Sequence, residues 1–505
     1  MTMELMQHRA PVGRGVAAHH QKVCLLLEGT YPYVFGGVSA WVDQIMHAMP
    51  EREFVVTFIG SRKDLSGESK YLLPENLTAV HEIYLHDQSQ SKARRLGRDG
   101  RRRARKVIDA VRGYFAGRDS AMEMMDSVCD AAATCSLRDF WEMPETWDLL
   151  RDLYTARGAV CSFNEFYWNA WNFAAHLWAL LGAADSVPQA PVYHAVCTGY
   201  AGLLGALLKH RRGGRFLLSE HGIYVKERVE DLRTANWIAD PGERVPALGT
   251  PHSVLTELWM QFFLFQAQAS YDSADQIVSL FERNAETQVE FGADRSKIEI
   301  VPNGVPTVPR GMDVSVNANR KVAGFLGRIV PIKDVKTLLR SMSTLQALCP
   351  AAELLIAGPT DEDPSYYREC LELVESLGLE GKVRFLGKVA ASEFLQEIDV
   401  MVLTSLSEGL PFALLEAFAE GIPAVATDVG ACRELVDGRA GNRSVDGAAG
   451  IVTAVAEPEQ TGEAIARLLN DAELRAKCGE TGRLRAVKDY ALDDVVSAYH
   501  RLYDC

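Results

Sequence analysis

The sequence predicts an α/β chain of two doubly wound parallel-sheet domains. Three observations predict it: short apolar runs closing on glycine or small polar residues, helical-period segments between them, and a proline- and glycine-rich break after which the alternation restarts. The first run, KVCLLLEG (22–29), is continuous rather than alternating, the pattern of a strand covered on both faces. The loop TYPYVFGG and the helical VSAWVDQIMHAM follow it, which starts a strand–helix–strand unit. FVVTFIG (54–60), PVYHAV (191–196), RFLLSEHG (215–222), DQIVSL (275–280) and KIEIVPNG (297–304) are the further strands of this half.

VPNGVPTVPRG (301–311), with three prolines and two glycines, is the hinge. Beyond it KVAGFLGR (321–328), AELLIAGP (352–359), KVRFLGKV (382–389), DVMVLTS (399–405) and IPAVATD (422–428) read as strands, with TLLRSMSTLQAL, PSYYRECLELVESLG, SEFLQEI and FALLEAFAEG as helices between them. The domains are expected at 21–306 and 307–485, with a disordered tail at 1–20 and a last helix at 486–505 crossing back to the first domain. A chain of 505 residues exceeds the size at which a single core stops growing.

Residues 87 to about 185 interrupt the alternation as a mainly helical insertion. It opens with SKARRLGRDGRRRARK, nine Lys/Arg between Lys92 and Lys106, and continues into FNEFYWNAWNFAAHLWALLG. The basic run is a solvated helix face or a docking patch for anionic headgroups or an acidic partner. Core packing is expected for Trp168, Trp171, Phe173 and Trp178. A net charge of −14 argues against a general nucleic-acid binder. Ten cysteines without a Cys-x-x-Cys pair or zinc-like spacing read as reduced thiols, which places the chain in the cytoplasm. No apolar run approaches the roughly 20 residues of a membrane span, and the first twenty residues hold no leader-like apolar stretch.

In open α/β sheets ligands bind beyond the carboxyl ends of the strands. At one such end Gly327-Arg328 is followed by Lys333; at another Glu408-Gly409-Leu410-Pro411 leads into a helix expected to start about Pro411. A helix start presents unpaired N–H groups and the positive end of its dipole, so with two nearby cations it suits a diphosphate. Glu408 and Glu416, poor phosphate ligands, suit sugar hydroxyls. Asp361-Glu362-Asp363 before Pro364 reads as a loop and helix cap rather than a metal site.

With E-x7-E at 408–416, GR-x4-K at 327–333, PNGV at 302–305 and GGV at 36–38, the chain resembles the family 4 retaining glycosyltransferases of the GT-B type, which have two Rossmann-like domains facing a cleft. The opening CLLLEGTYPYVFGGVSAWV, SEHGIYVKER and the insertion resemble, more narrowly, the cytoplasmic glycosyltransferases of Pel exopolysaccharide synthesis. The resemblance implies a UDP-hexose donor, a polysaccharide acceptor, an inner-membrane synthase complex reached through the basic insertion 92–106, and neither cofactor nor metal. It implies that Arg328 and Lys333 hold the pyrophosphate, that Glu408 with the backbone of Gly409, Leu410, Pro411 and Phe412 holds the sugar, and that Glu416 holds the ribose. The base would lie near Phe385 to Val389, Gly36 and Gly37 would approach the phosphates, Gly327 would line the donor site and His221 would face the donor sugar.

A nucleotide-sugar epimerase and a non-catalytic donor-sensing scaffold are the alternatives. NAD-linked redox chemistry is disfavoured because Gly29, Gly36 and Gly37 lack the G-x-G-x-x-G spacing.

Overall fold

The computed structural model describes residues 22–65, 67–86, 96–156, 161–234, 254–307, 320–439 and 445–504. The expected tail 1–20, Lys92, Arg94 and Arg95 of the basic run and part of the hinge lie outside these residues.

Seven parallel strands form the first sheet: β1 (Val23–Glu28), β2 (Phe54–Gly60), β3 (Leu77–Tyr84), β4 (Val192–Ala195), β5 (Arg215–Glu220), β6 (Gln276–Ser279) and β7 (Ile298–Ile300), in the order 3-2-1-4-5-6-7. Six form the second: β8 (Val322–Leu326), β9 (Glu353–Ala357), β10 (Val383–Gly387), β11 (Val400–Leu403), β12 (Ala424–Thr427) and β13 (Gly450–Thr453), in the order 10-9-8-11-12-13. The doubly wound class predicted by the alternation is the one observed. β3 and β13 are additions to it. Both are edge strands: β3 is exposed or half-buried over its first six residues and β13 is half-buried at its two middle residues, so neither carries the fully buried apolar run that marks a central strand.

Core strands are covered on both faces, as their composition requires: Val23 to Leu27 and all of β12 are fully buried. Each valine or leucine among them contributes roughly 1.5–3 kcal/mol through burial. Both sheets reverse their strand order at one place, between β1 and β4 and between β8 and β11. There the helices diverge to opposite faces and leave a crevice.

The described residues of the insertion between β3 and β4 form the α-helices Arg98–Phe115, Ala121–Ala132, Leu137–Trp141, Pro144–Ala156 and Phe163–Ala183. Phe173 and Trp178 pack against the first domain's core, and Trp171 meets Trp141 edge-on at 5.2 Å. Trp168 departs from the expected core packing, with 53% of its surface exposed. In the basic helix, Asp99 pairs with both Arg102 (2.6 Å) and Arg103 (2.9 Å), and Glu145 with Arg105 (2.7 Å), so part of the described cationic charge is locally paired.

After Tyr490 the chain returns to the first domain. The helix Leu492–Asp504 sinks Tyr499 and Tyr503 into the core around β1, where His194 is hydrogen-bonded to the Tyr503 hydroxyl (2.8 Å) and Ser219 Oγ (2.7 Å). This crossing leaves the two crevices opposed.

Candidate donor-binding site

The strand-order reversal of the second sheet selects the loops that carry the sequence motifs. The loop leaving β8 contains Gly327, Arg328 and Lys333; the loop leaving β11 contains Glu408 to Pro411. Three bonds tie them together. Leu406 N–H donates to Ile332 O (2.8 Å), and Thr404 Oγ1 donates to the carbonyls of Lys333 (3.2 Å) and Asp334 (3.0 Å). Lys333 Nζ and Ser405 Oγ consequently both donate to Glu408 Oε1, each at 2.5 Å. Lys333 and Glu408 expose only 18% and 9% of their side chains, so this charge pair is shielded more than a surface ion pair.

Arg328 stands on the same loop, half-buried, and donates to Glu362 Oε1 at 2.5 Å. Glu362 is thereby a partner of the site that the sequence did not reveal. Its neighbour Asp363 caps the helix Pro364–Ser376, accepting from Tyr366 N–H at 2.9 Å. Behind both loops, a Cβ on Gly358 (φ 144°) would lie 1.8 Å from the Gly327 carbonyl oxygen, so the ends of β8 and β9 can touch only with glycine at 358.

The helix after the Glu408 loop runs Phe412–Ala419. Pro411 is its N-cap in extended conformation rather than its first helical residue, a one-residue correction, and no side chain caps it. Its first amides therefore lack an intrahelical acceptor and carry the positive end of the helix dipole. Leu410 and Phe412 bring only backbone to this place, since Leu410 is buried in the second domain's core and the Phe412 ring packs against the first domain's core. Glu416 lies one turn inward, where burial pushes its carboxyl up to about 7.

The first domain closes the other side. The helix Gly37–Ala48 also starts without a side-chain cap, at Gly36, and a Cβ built on Gly36 or Gly37 meets nothing within 4 Å. Trp41 of this helix holds the His221 ring at 4.7 Å between centroids. His221 is 8% exposed and its Nε2 has no hydrogen-bond partner among the described residues. Burial lowers its pKa to about 4, against a smaller opposing effect of Asn303, so the ring is neutral at ordinary pH.

The domains touch at named points. A Cβ on Gly409 would lie 2.3 Å from the His221 carbonyl oxygen, Asn303 Nδ2 donates to Leu410 O at 2.8 Å, and Lys388 Nζ sits 3.4 Å above the Phe35 ring. Asn303 belongs to the PNGV motif, but its contact with the Glu408 loop was not legible there. The Phe385 ring packs edge-on to Tyr367 at 5.4 Å against the second domain's core, which leaves only its backbone for a base. Val389 is half-buried against that domain's other core cluster.

A family model described as a domain of unknown function (DUF3492) matches residues 21–296, and one described as glycosyl transferases group 1 matches 313–485. A D-inositol 3-phosphate glycosyltransferase of Corynebacterium jeikeium (strain K411) is 29% identical over 255 residues, 47% of this chain and 59% of that protein. An N-acetyl-alpha-D-glucosaminyl L-malate synthase of Bacillus anthracis is 26% identical over 192 residues, 38% of this chain and 47% of that protein. The chain thus spans about half the length of the curated relatives it matches. Among solved structures, Anabaena Alr3699/HepE in complex with UDP-glucose aligns with 96% of this chain and 100% of its own at TM-score 0.59 and 15% identity. Sucrose-phosphate synthase from Thermosynechococcus elongatus aligns with 96% and 98% at TM-score 0.57, also at 15% identity. These likenesses show the fold: two Rossmann-like domains in the GT-B arrangement.

Proposed function

The chain belongs to the family described as a domain of unknown function (DUF3492), with a glycosyl transferases group 1 region behind it, and from this premise we propose that it is a retaining hexosyltransferase using a UDP-sugar donor. The observation that carries the reading is the meeting of Lys333 and Glu408 at the uncapped helix start, with Arg328 on the adjoining loop. One cation remains beside a sugar-binding carboxylate, a second stands at the rim, and open amides lie between. UDP as the nucleotide rests on the sequence resemblance and on the UDP-glucose complex of the solved neighbour Alr3699/HepE.

In this reading the two phosphates lie against the first amides of the helix Phe412–Ala419, Lys333 and Arg328. A charge-assisted hydrogen bond contributes about 1.5–3 kcal/mol, so these groups hold a diphosphate without a divalent ion. Lys333 has three donor protons; its bond to Glu408 uses one and two remain for phosphate oxygens. As the glycosidic carbon–oxygen bond breaks, negative charge grows on the leaving phosphate, and fixed cations lower that barrier most. The leaving phosphate accepts the acceptor hydroxyl's proton on the same face of the sugar. Neutral His221 aligns the sugar by hydrogen bonding and carries no charge of its own.

The finer assignment is extension of a Pel-type exopolysaccharide at the cytoplasmic face of an inner membrane, with the basic helix docking to a synthase complex. It rests on the sequence resemblance. Among the described residues no helix is long and apolar enough to cross a membrane. Incubating the purified chain with UDP-glucose, UDP-galactose and their 2-acetamido forms, with and without oligosaccharide acceptors, tests the reading. Acceptor-dependent release of UDP supports it; epimerised donor without transfer supports the epimerase instead.

A further inference from the structure

The helical insertion carries aromatic surface that neither the core nor the cleft uses. Trp147, on Pro144–Ala156, is 51% exposed and Trp168, on Phe163–Ala183, is 53% exposed. Tyr167 stands between them, its ring centroid 6.2 Å from Trp147 and 5.3 Å from Trp168, and Phe163 supports Trp147 from 5.1 Å. The rings are therefore held in place by other rings, and about half of each indole side chain is open to solvent.

The polar residues around them select an occupant. Asn164, Trp168 and Asn172 fall four residues apart along one stripe of the helix, all exposed, so each side of the indole has a carboxamide about one turn away. Asn169 is committed elsewhere, accepting from Trp259 Nε1 at 2.8 Å. The helix Phe163–Ala183 contains no lysine or arginine, and on the neighbouring helix Arg151 is occupied by Asp148 (3.1 Å) and Asp152 (3.3 Å). An anionic membrane needs unpaired cations beside the aromatic anchors, and among the described residues of these two helices there are none. A second copy of the chain needs roughly 1,200–2,000 Å² of buried area, far more than two indoles supply.

A neutral, hydroxyl-rich chain fits both halves of the surface. The electron-rich face of an indole attracts the weakly positive C–H face of a pyranose, and carboxamides both donate to and accept from hydroxyl groups. We propose that Trp147 and Trp168, with Asn164 and Asn172, form a glycan-binding platform on the insertion, separate from the cleft, that holds a stretch of polysaccharide away from its reacting end. The platform rests on the proposed sugar transfer only for the source of its glycan.

Affinity electrophoresis of the full chain through gels containing hydroxyethylcellulose, glycogen or glycol chitin, with calorimetric titration of UDP alongside, tests it. At least one glycan should retard the wild type. The Trp147→Ala/Trp168→Ala double variant should bind that glycan at least tenfold more weakly, with cooperative unfolding retained and UDP affinity unchanged, while Trp168→Tyr should retain part of the binding. No retardation by any of the three, or equal retardation of the double variant, overturns the proposal. So does a double variant whose lost property is sedimentation with phosphatidylglycerol vesicles or self-association. Glycan binding without UDP binding leaves the platform standing and removes the reading of the cleft.

Discussion

Lys333 Nζ lies 2.5 Å from Glu408 Oε1, and this pair joins the loop that leaves β8 to the loop that leaves β11. The same carboxylate oxygen accepts from Ser405 Oγ, so the lysine's position is set from two directions. The helix start, the cation and the carboxylate are thereby held together by the protein's own bonds, which is what preorganised electrostatic stabilisation requires.

Lys333→Ala should lower kcat by about 100-fold or more, since losing one preorganised donor at a developing charge costs that much. Arg328→Ala should lower it in the same direction but less, because Arg328 is the more exposed of the two cations, at 36% against 18%. Steady-state rates with saturating donor check this; turnover within threefold of wild type for Lys333→Ala contradicts it.

Gly409→Ala introduces a Cβ 2.3 Å from the His221 carbonyl oxygen, a backbone atom of the opposite domain that cannot swing aside. Overpacking of this kind costs about 1–3 kcal/mol. A lower unfolding midpoint and a loss of transfer activity are expected together; a fully active variant would mean that the domains need not meet at this point.

Glu416 should make donor binding pH-dependent. Burial raises its carboxyl to about 7 from the usual 4.5, and it accepts ribose hydroxyls best when ionised. Affinity for a UDP-sugar, whose phosphate diesters do not titrate in this range, should rise as pH increases through about 7, and Glu416→Gln should flatten the profile. The charged form is the buried, penalised one, so the wild type's stability relative to Glu416→Gln should fall as pH rises from 4.5 to 7. Parallel pH profiles for the two proteins would rule this out.

Buried histidines should make the fold acid-labile. Burial lowers His194 to about 3, and His176 and His221 to about 4, from an ordinary 6.5. As pH falls below 6.5 the unfolded chain takes up protons that the folded chain refuses, so stability is intact above that pH and is lost toward pH 4. Denaturant midpoints between pH 4 and 7 check this, and His194→Gln should show a shallower slope, whatever its stability at neutral pH.

Chelation should leave turnover unchanged, because the proposal assigns the cationic work to Lys333 and Arg328. Activity abolished by EDTA and restored by Mg²⁺ or Mn²⁺ would transfer that work to a metal.

The central strands were legible because burial on both faces demands an uninterrupted apolar run, as in Val23–Leu27, whereas the edge strands β3 and β13 have no such demand on their composition. The spacing of Gly327, Arg328, Lys333, Glu408 and Glu416 was readable because each lies in or just beyond a strand-end loop. The contacts that set their geometry were not. Arg328 with Glu362, Asn303 with Leu410 O and Lys388 with Phe35 join residues 34, 107 and 353 positions apart, and no local periodicity encodes them. Trp168 illustrates a different gap: Phe163–Ala183 is aromatic on several faces, so its pattern does not reveal which ring is left outside.

Calorimetric titration of UDP and uridine into the wild type and into Lys333→Ala tests the central claim most directly. The account predicts that the wild type binds UDP far more tightly than uridine and that Lys333→Ala weakens UDP by roughly 10- to 100-fold, the equivalent of one charge-assisted bond, with little effect on uridine. Equal affinity of the two proteins for UDP would contradict it.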